Sequence, residues 1–172
     1  MEPSEHGLVA ATDGWFVVNV RDAAWVTGEY FADACIIEGD AAPFPDVGYT
    51  IGVLSPGRPS GLYHREANQE DLLVLAGECL LLVEGEERPL RTWDFVHCPG
   101  GTNHMIVGAG SGPSVVLAVG ARGGRKGLVY PVEARALKHG VGAERETTKP
   151  QEAYASFPAF ARCRYRPGWL PE

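Results

Sequence analysis

The stretch Gly61-Leu62-Tyr63-His64-Arg65-Glu66-Ala67-Asn68-Gln69-Glu70-Asp71-Leu72-Leu73-Val74-Leu75-Ala76-Gly77 holds two short apolar runs separated by a polar turn and closed by glycine. The same rhythm continues on both sides. Apolar runs at Tyr49–Leu54, Gly61–Glu66, Asp71–Ala76, Cys79–Val83, Trp93–His97, His104–Val107 and Val115–Gly120 are broken by Gly, Pro, Asn or acidic clusters at intervals of roughly 8–12 residues. The runs favour Val, Leu, Ile, Phe and Tyr, as strands do. None is followed by the long helical pattern that a parallel α/β sheet requires. This spacing predicts an all-β sandwich or barrel.

Outside that region the signals change. Residues 1–14 are polar and read as an N-terminal arm. Trp15–Val20 and Phe31–Ile37 are apolar pieces of an N-terminal β extension, joined to the barrel to make one unit over 15–122. A basic glycine loop covers Gly123–Gly127. Pro131–His139 then reads as one short helix stopped by Gly140. The remainder of 123–172 is charged and then rich in Pro and aromatics, with Phe157, Phe160, Tyr165 and Trp169 placed to pin the tail on the barrel.

The chain has 172 residues, 22 glycines, 13 prolines and a formal net charge of −7. The length suits one domain with its own core, and the glycine and proline content suits many turns. An acidic chain argues against nucleic acid and against an anionic membrane surface as partner. There is no apolar run long enough to span a bilayer. The opening Met1-Glu2-Pro3-Ser4-Glu5-His6 does not resemble a secretory leader, so the expectation is a cytoplasmic protein. Cys35, Cys79, Cys98 and Cys163 form no CxxC pair and are expected as free thiols.

Chemistry concentrates in two places. In a strand through Tyr63–Glu66, His64 and Glu66 share one face while Tyr63 and Arg65 share the other. Glu70 follows at the mouth of the next strand. Some thirty residues on, Pro99-Gly100-Gly101-Thr102-Asn103-His104 is a turn that delivers His104 to the start of another strand. Two imidazoles and two carboxylates converging inside a small barrel would be costly without compensation. A divalent cation removes that cost, and this donor set suits Mn, Fe, Zn or Ni. The candidate metal ligands are therefore His64, Glu66, Glu70 and His104. Glu66 also has the alternative of reaching solvent or hydrogen-bonding a ligating histidine. His97 is read as either a pocket or a surface group, and Cys98, facing the opposite way, as core. Tyr63, Tyr49 and Met105 are read as pocket wall or outer core.

These two segments resemble the paired motifs of the cupin superfamily. His64-x-Glu66, three residues, Glu70, six residues, Gly77 is similar to the first motif, which opens His-x-His. Pro99-x-Gly101-x-x-His104 is similar to the second, with Trp93 where that motif opens with Gly and Gly108 where it closes with Asn. The 15 residues Glu78–Thr92 lie between them. The resemblance implies a double-stranded β-helix (a cupin, or jelly-roll, barrel) with an N-terminal β extension and one short C-terminal helix. It implies a homodimer formed by exchange of N-terminal strands, and a divalent metal at the four residues above. For function it implies a small-molecule enzyme with oxygenase-, isomerase- or lyase-type chemistry. The alternatives are a non-catalytic cupin module that binds metal or a small ligand, and a metal-free barrel whose carboxylates and histidines bond to one another. No catalytic acid–base residue beyond the ligands stands out.

Overall fold

The computed structural model describes residues 1–123 and 127–172. Most of the basic loop Gly123–Gly127, the segment 124–126, therefore lies outside the described residues. In chain order the elements are β1 (Glu2–Ser4), β2 (Gly7–Val9), β3 (Ala24–Thr27), β4 (Asp33–Ile36), β5 (Val47–Leu54), β6 (Arg65–Glu66), β7 (Glu70–Ala76), β8 (Glu78–Val83), β9 (Glu86–Arg91), β10 (Phe95–Cys98), β11 (His104–Ala109), β12 (Ser114–Ala121), β13 (Leu128–Val129), α1 (Ala134–Lys138), α2 (Pro150–Ala153) and β14 (Ala161–Arg164). Strand accounts for 43% and helix for 5%, so the all-β expectation holds.

Two sheets face each other. The larger runs β10-β7-β12-β5-β4-β3-β14, the smaller β11-β8-β9, and a short β13-β6 pair sits beside them. Every pairing between named strands is antiparallel, as in β12 against both β5 and β7. Alternation sends Leu54, Leu72, Val74 and Val116 of the large sheet inward against Leu81 and Ile106 of the small one, and these form the main core. The reverse face of the small sheet, with Leu82, Met105 and Val107, is covered by Tyr63, Ala136 and Val141. Trp25 and Cys35 on the outer face of the large sheet are covered by Val18, Val20, Tyr165, Trp169 and Leu170 from the two ends of the chain.

Most of the expected strands appear with small boundary shifts. Three features do not follow the pattern read from the sequence. Trp15–Val20 lies against the outer face of the large sheet without forming a strand in it, with Phe16 stacked on Phe44 while Trp15 stays 93% exposed. The segment Glu86–Arg91 is a strand although almost wholly polar, because it is the outer strand of the small sheet and most of its side chains face water. Pro89 is tolerated there since an edge strand does not need every N–H. Ala161–Arg164 adds an edge strand to the large sheet against β3, from a tail read only as packing material.

The expected helix is α1. Its N-cap is Glu133, whose carboxylate accepts the Ala136 N–H at 2.7 Å, and the chain leaves it through Gly140 at φ 71°. A further single turn, α2, opens with Pro150. The arm at 1–14 begins with a hairpin in which the Ser4 hydroxyl donates to the Gly7 carbonyl at 2.7 Å. No helix among the described residues is long and apolar enough to cross a membrane.

Candidate metal centre

The two motif segments are held together by their backbones. His64 and His104 form an antiparallel bridge, with the His64 N–H donating to the His104 carbonyl at 3.2 Å and the His104 N–H to the His64 carbonyl at 2.8 Å. In such a pair the two side chains leave on the same side of the ladder. The imidazole ring centroids are 5.1 Å apart. Further contacts zip the loops. The Gly101 N–H donates to the Glu66 carbonyl at 2.6 Å, and Arg65 Nη1 donates to Asn103 Oδ1 at 3.1 Å. Gly100 presses so close that a Cβ there would sit 2.2 Å from the Ala67 carbonyl oxygen. Only glycine fits, which explains why the turn reads Pro99-Gly100-Gly101.

Glu70 opens β7, with Cys98 of β10 and Gly120 of β12 as its cross-strand neighbours. Its carboxylate Oε2 lies 3.0 Å from His104 Nε2 and 3.7 Å from His64 Nε2. One ligand atom from each of His64, Glu70 and His104 falls within 4.8 Å of the others. Glu66 stands beside this trio, its Oε1 3.8 Å from His64 Nε2, and is the most solvent-exposed of the four side chains. The structure thus brings all four candidate residues to one place, with three in a tight group and Glu66 at its edge.

Each imidazole is oriented from behind. His64 Nδ1 lies 2.8 Å from the Leu62 carbonyl and His104 Nδ1 3.0 Å from the Thr102 carbonyl. A carbonyl only accepts, so each Nδ1 carries a proton, and Nε2 is the ring atom that faces the site. Without a cation the centre is an ion pair. Burial works against a charged His104, but hydrogen bonding to Cys98 and Glu70 outweighs it and carries the imidazole up to about 10. Burial likewise raises Glu70, yet hydrogen bonds with His104 and His64 bring it down to about 2.

The centre opens into a cavity of about 290 Å³ between the two sheets. Leu54, Leu72, Ile106, Val116 and Leu128 make its apolar walls. Tyr130 and Tyr154 add two phenols. The Tyr154 hydroxyl accepts the Leu62 N–H at 3.0 Å, and the Tyr130 ring meets that of Tyr154 edge-on at 5.8 Å and lies 6.0 Å from that of His64. Burial, together with Tyr154 and the Glu66 carboxylate, pushes the Tyr130 phenol well above its ordinary value.

Of the other candidates, Cys98 is buried and inward. His97 points away from the cavity, 53% exposed, with its Nδ1 2.7 Å from Asp71 Oδ1. Tyr63 is core, and its hydroxyl accepts the Gly85 N–H at 3.2 Å. Met105 contributes both to the cavity wall and to the core behind it. Tyr49 lies outside the cavity lining, partly exposed. Sequence reasoning missed Tyr130 and Tyr154. Both follow the barrel strands in sequence, and neither sits in a motif. The aromatic richness of the tail was their only signal.

Residues 50–120 match the family described as cupin domain. No curated protein matches the chain. Among solved structures, a protein of Acidithiobacillus ferrooxidans provisionally named a sugar phosphate isomerase is 30% identical over 53% of this chain and 58% of its own, with a TM-score of 0.46. The chain therefore spans less than two thirds of that protein. The polyketide cyclase RemF of Streptomyces resistomycificus is 17% identical over 63% of this chain and 80% of its own, with a TM-score of 0.54, a likeness of fold. KdgF of a Halomonas species is 23% identical over 58% of this chain and 88% of its own, with a TM-score of 0.47.

Proposed function

We propose that this chain, whose residues 50–120 match the cupin-domain family, is a cupin and a metal-dependent enzyme acting on a small molecule. In this reading His64, Glu70 and His104 hold a divalent cation, with Glu66 as the adjacent fourth carboxylate. The observation that carries it is the convergence of three donor atoms within 4.8 Å. Metal–ligand bonds of about 2.1 Å place neighbouring donors about 3.0–3.4 Å apart. Separations of 3.0 and 3.7 Å from the Glu70 oxygen to the two imidazoles lie close to that range. The mixed nitrogen and oxygen set fits Mn, Fe, Zn or Ni.

A bound cation of this kind polarises a substrate oxygen or acidifies a bound water. The protein's own residues do the rest. The Leu62 and Thr102 carbonyls hold the imidazole tautomers and so keep the donor geometry preorganised. The apolar walls exclude water and strengthen electrostatic interactions at the centre. The cavity, about 290 Å³, has room for a small molecule only. Oxygenation of an enolisable or phenolic compound, isomerisation of a sugar-like compound and lyase chemistry are the reaction classes that the family allows.

The test is direct. Protein stripped with a chelator and titrated with Mn²⁺, Fe²⁺, Zn²⁺ or Ni²⁺ is expected to bind one equivalent of at least one of them, and the His64→Ala, His104→Ala double variant none. Full occupancy in that variant would refute the site.

A further inference from the structure

Gly52 lies within β5, buried, opposite Val116 of β12 and in the lining of the cavity. A glycine inside a strand weakens it, and is retained where a left-handed backbone or a close approach excludes a side chain. Neither cause operates at Gly52. Its φ is not in the left-handed region, and a Cβ there would meet nothing nearer than Leu54 Cδ1 at 3.5 Å, an ordinary contact. Gly100 and Gly108 differ, since a Cβ at either would lie 2.2 or 2.3 Å from a carbonyl oxygen. What the missing side chain at Gly52 leaves is space inside the cavity.

The walls around that space are apolar. Two residues along β7 from Glu70 comes Leu72, and two residues along β11 from His104 comes Ile106, so each shares a face with a candidate metal ligand. The two strands belong to opposing sheets, and both side chains line the cavity. A body attached to a metal-bound oxygen is therefore flanked by Leu72 and Ile106, with Val116 and Gly52 beyond them.

Polar partners for such a body are few. Apart from the four candidate ligands, the polar side chains of the lining are the hydroxyls of Thr50, Ser60, Tyr130 and Tyr154. Thr50 is solvent-exposed. Ser60 Oγ donates to Met105 Sδ at 3.1 Å, and the Tyr154 oxygen accepts the Leu62 N–H. Among the described residues the lining includes no Lys, Arg, Asn, Gln or Asp. A polyhydroxylated body would leave most of its hydroxyls unpaired against these walls, which costs affinity for each one. An apolar body gains affinity by leaving water there.

Resting on the metal reading above, we propose that the ligand of this centre binds the metal through oxygen and carries an apolar body the size of a single ring, and that Gly52 is the specificity-determining residue that admits this body. Of the reaction classes above, enolisable or phenolic compounds meet that description and sugar-like compounds do not.

The experiment uses the full chain loaded with Co²⁺, whose visible spectrum reports ligation. The probes are acetohydroxamic, benzohydroxamic and D-gluconohydroxamic acids. All three share one metal-binding group, so its ionisation and its bonds to the metal cancel when they are compared. Benzohydroxamic acid is expected to bind roughly 10- to 100-fold more tightly than acetohydroxamic acid, the scale of burying one aromatic ring. D-Gluconohydroxamic acid is expected to bind no more tightly than acetohydroxamic acid. Gly52→Val, which fills the space, should reduce the benzohydroxamate advantage at least about tenfold. Its affinities for Co²⁺ and acetohydroxamic acid should stay within about twofold, which also shows that the variant is folded. Gly52→Ala, whose added carbon makes only ordinary contacts, should give a smaller shift in the same direction and decides the matter if the valine variant does not fold. A gluconohydroxamate affinity equal to that of benzohydroxamate, or no benzohydroxamate advantage, overturns the apolar body. An advantage unchanged in both Gly52 variants overturns the role of Gly52. Failure of the unaltered protein to bind Co²⁺ overturns the metal reading itself, and this proposal with it.

Discussion

His64 and His104, forty residues apart in the chain, face each other across a two-hydrogen-bond antiparallel bridge, and both imidazoles leave it toward the same cavity. The pair is fixed by backbone, so the donor geometry does not depend on the side chains finding each other. Glu70 then enters from a different sheet and closes the group. This arrangement separates the four candidate ligands by how firmly each is held.

The two carboxylates should differ in weight. Glu70 is half-buried and within 3.0 Å of His104, whereas Glu66 is more exposed and 3.8 Å from His64. Glu70→Gln is expected to lower divalent metal affinity by about 100-fold, and Glu66→Gln by no more than about tenfold, the scale of a supporting partner. Calorimetric titration of both variants checks this. Equal losses would place Glu66 on the same footing as Glu70.

The metal-free protein should have a stability maximum in mildly acidic solution. Glu70 is lowered to about 2, so its contribution is present above the ordinary carboxylate value of 4.5 and fades as pH falls toward 2. His104 is raised to about 10, so its contribution is complete below 6.5 and fades as pH rises toward 10. Both hold together from about pH 4.5 to 6.5. Melting temperatures measured in chelator across the pH range should fall on the alkaline side in the unaltered protein, and much less in His104→Gln. Parallel alkaline limbs in the two proteins would count against the ion pair.

Trp93 carries a conformational cost. It stands where the resembling motif has glycine, and its φ of 75° lies in the left-handed region, which bulky side chains rarely adopt. The indole is 72% exposed, so little packing is lost with it. Trp93→Gly is expected to stabilise the fold by about 0.5–1 kcal/mol, relief of strain exceeding the entropy that glycine adds to the unfolded chain. Chemical denaturation reads the difference. A destabilisation above about 1 kcal/mol would mean that the indole packs usefully after all. The second departure behaves oppositely: a Cβ at Gly108 would lie 2.3 Å from the Ser55 carbonyl oxygen, so this position demands its glycine.

The legible parts of this protein were those with local causes. Short apolar runs at residues 71–76 and 115–120 mark strands because turn residues bound them on both sides, and the glycines at 77, 100 and 101 mark turns because close approach or positive φ excludes a side chain. Residues 86–91 escaped because an edge strand facing water has no apolar period to read. Residues 161–164 escaped for a related reason, since three of the four side chains are exposed. Trp15–Val20 has the composition of a strand, but only Val18 and Val20 of it pack on the large sheet, and they cover its outer face without joining it.

The order of residues alone determined that His64, Glu66, Glu70 and His104 could share a site, since residue type and strand alternation set which side chains can point together. Only the tertiary structure decided that three of them gather tightly with Glu66 at the margin, that His97 turns to solvent, and that Tyr130 and Tyr154 reach the cavity. Those outcomes depend on contacts between segments far apart in the chain, where the energy of packing and hydrogen bonding is settled by three-dimensional proximity that no local pattern encodes.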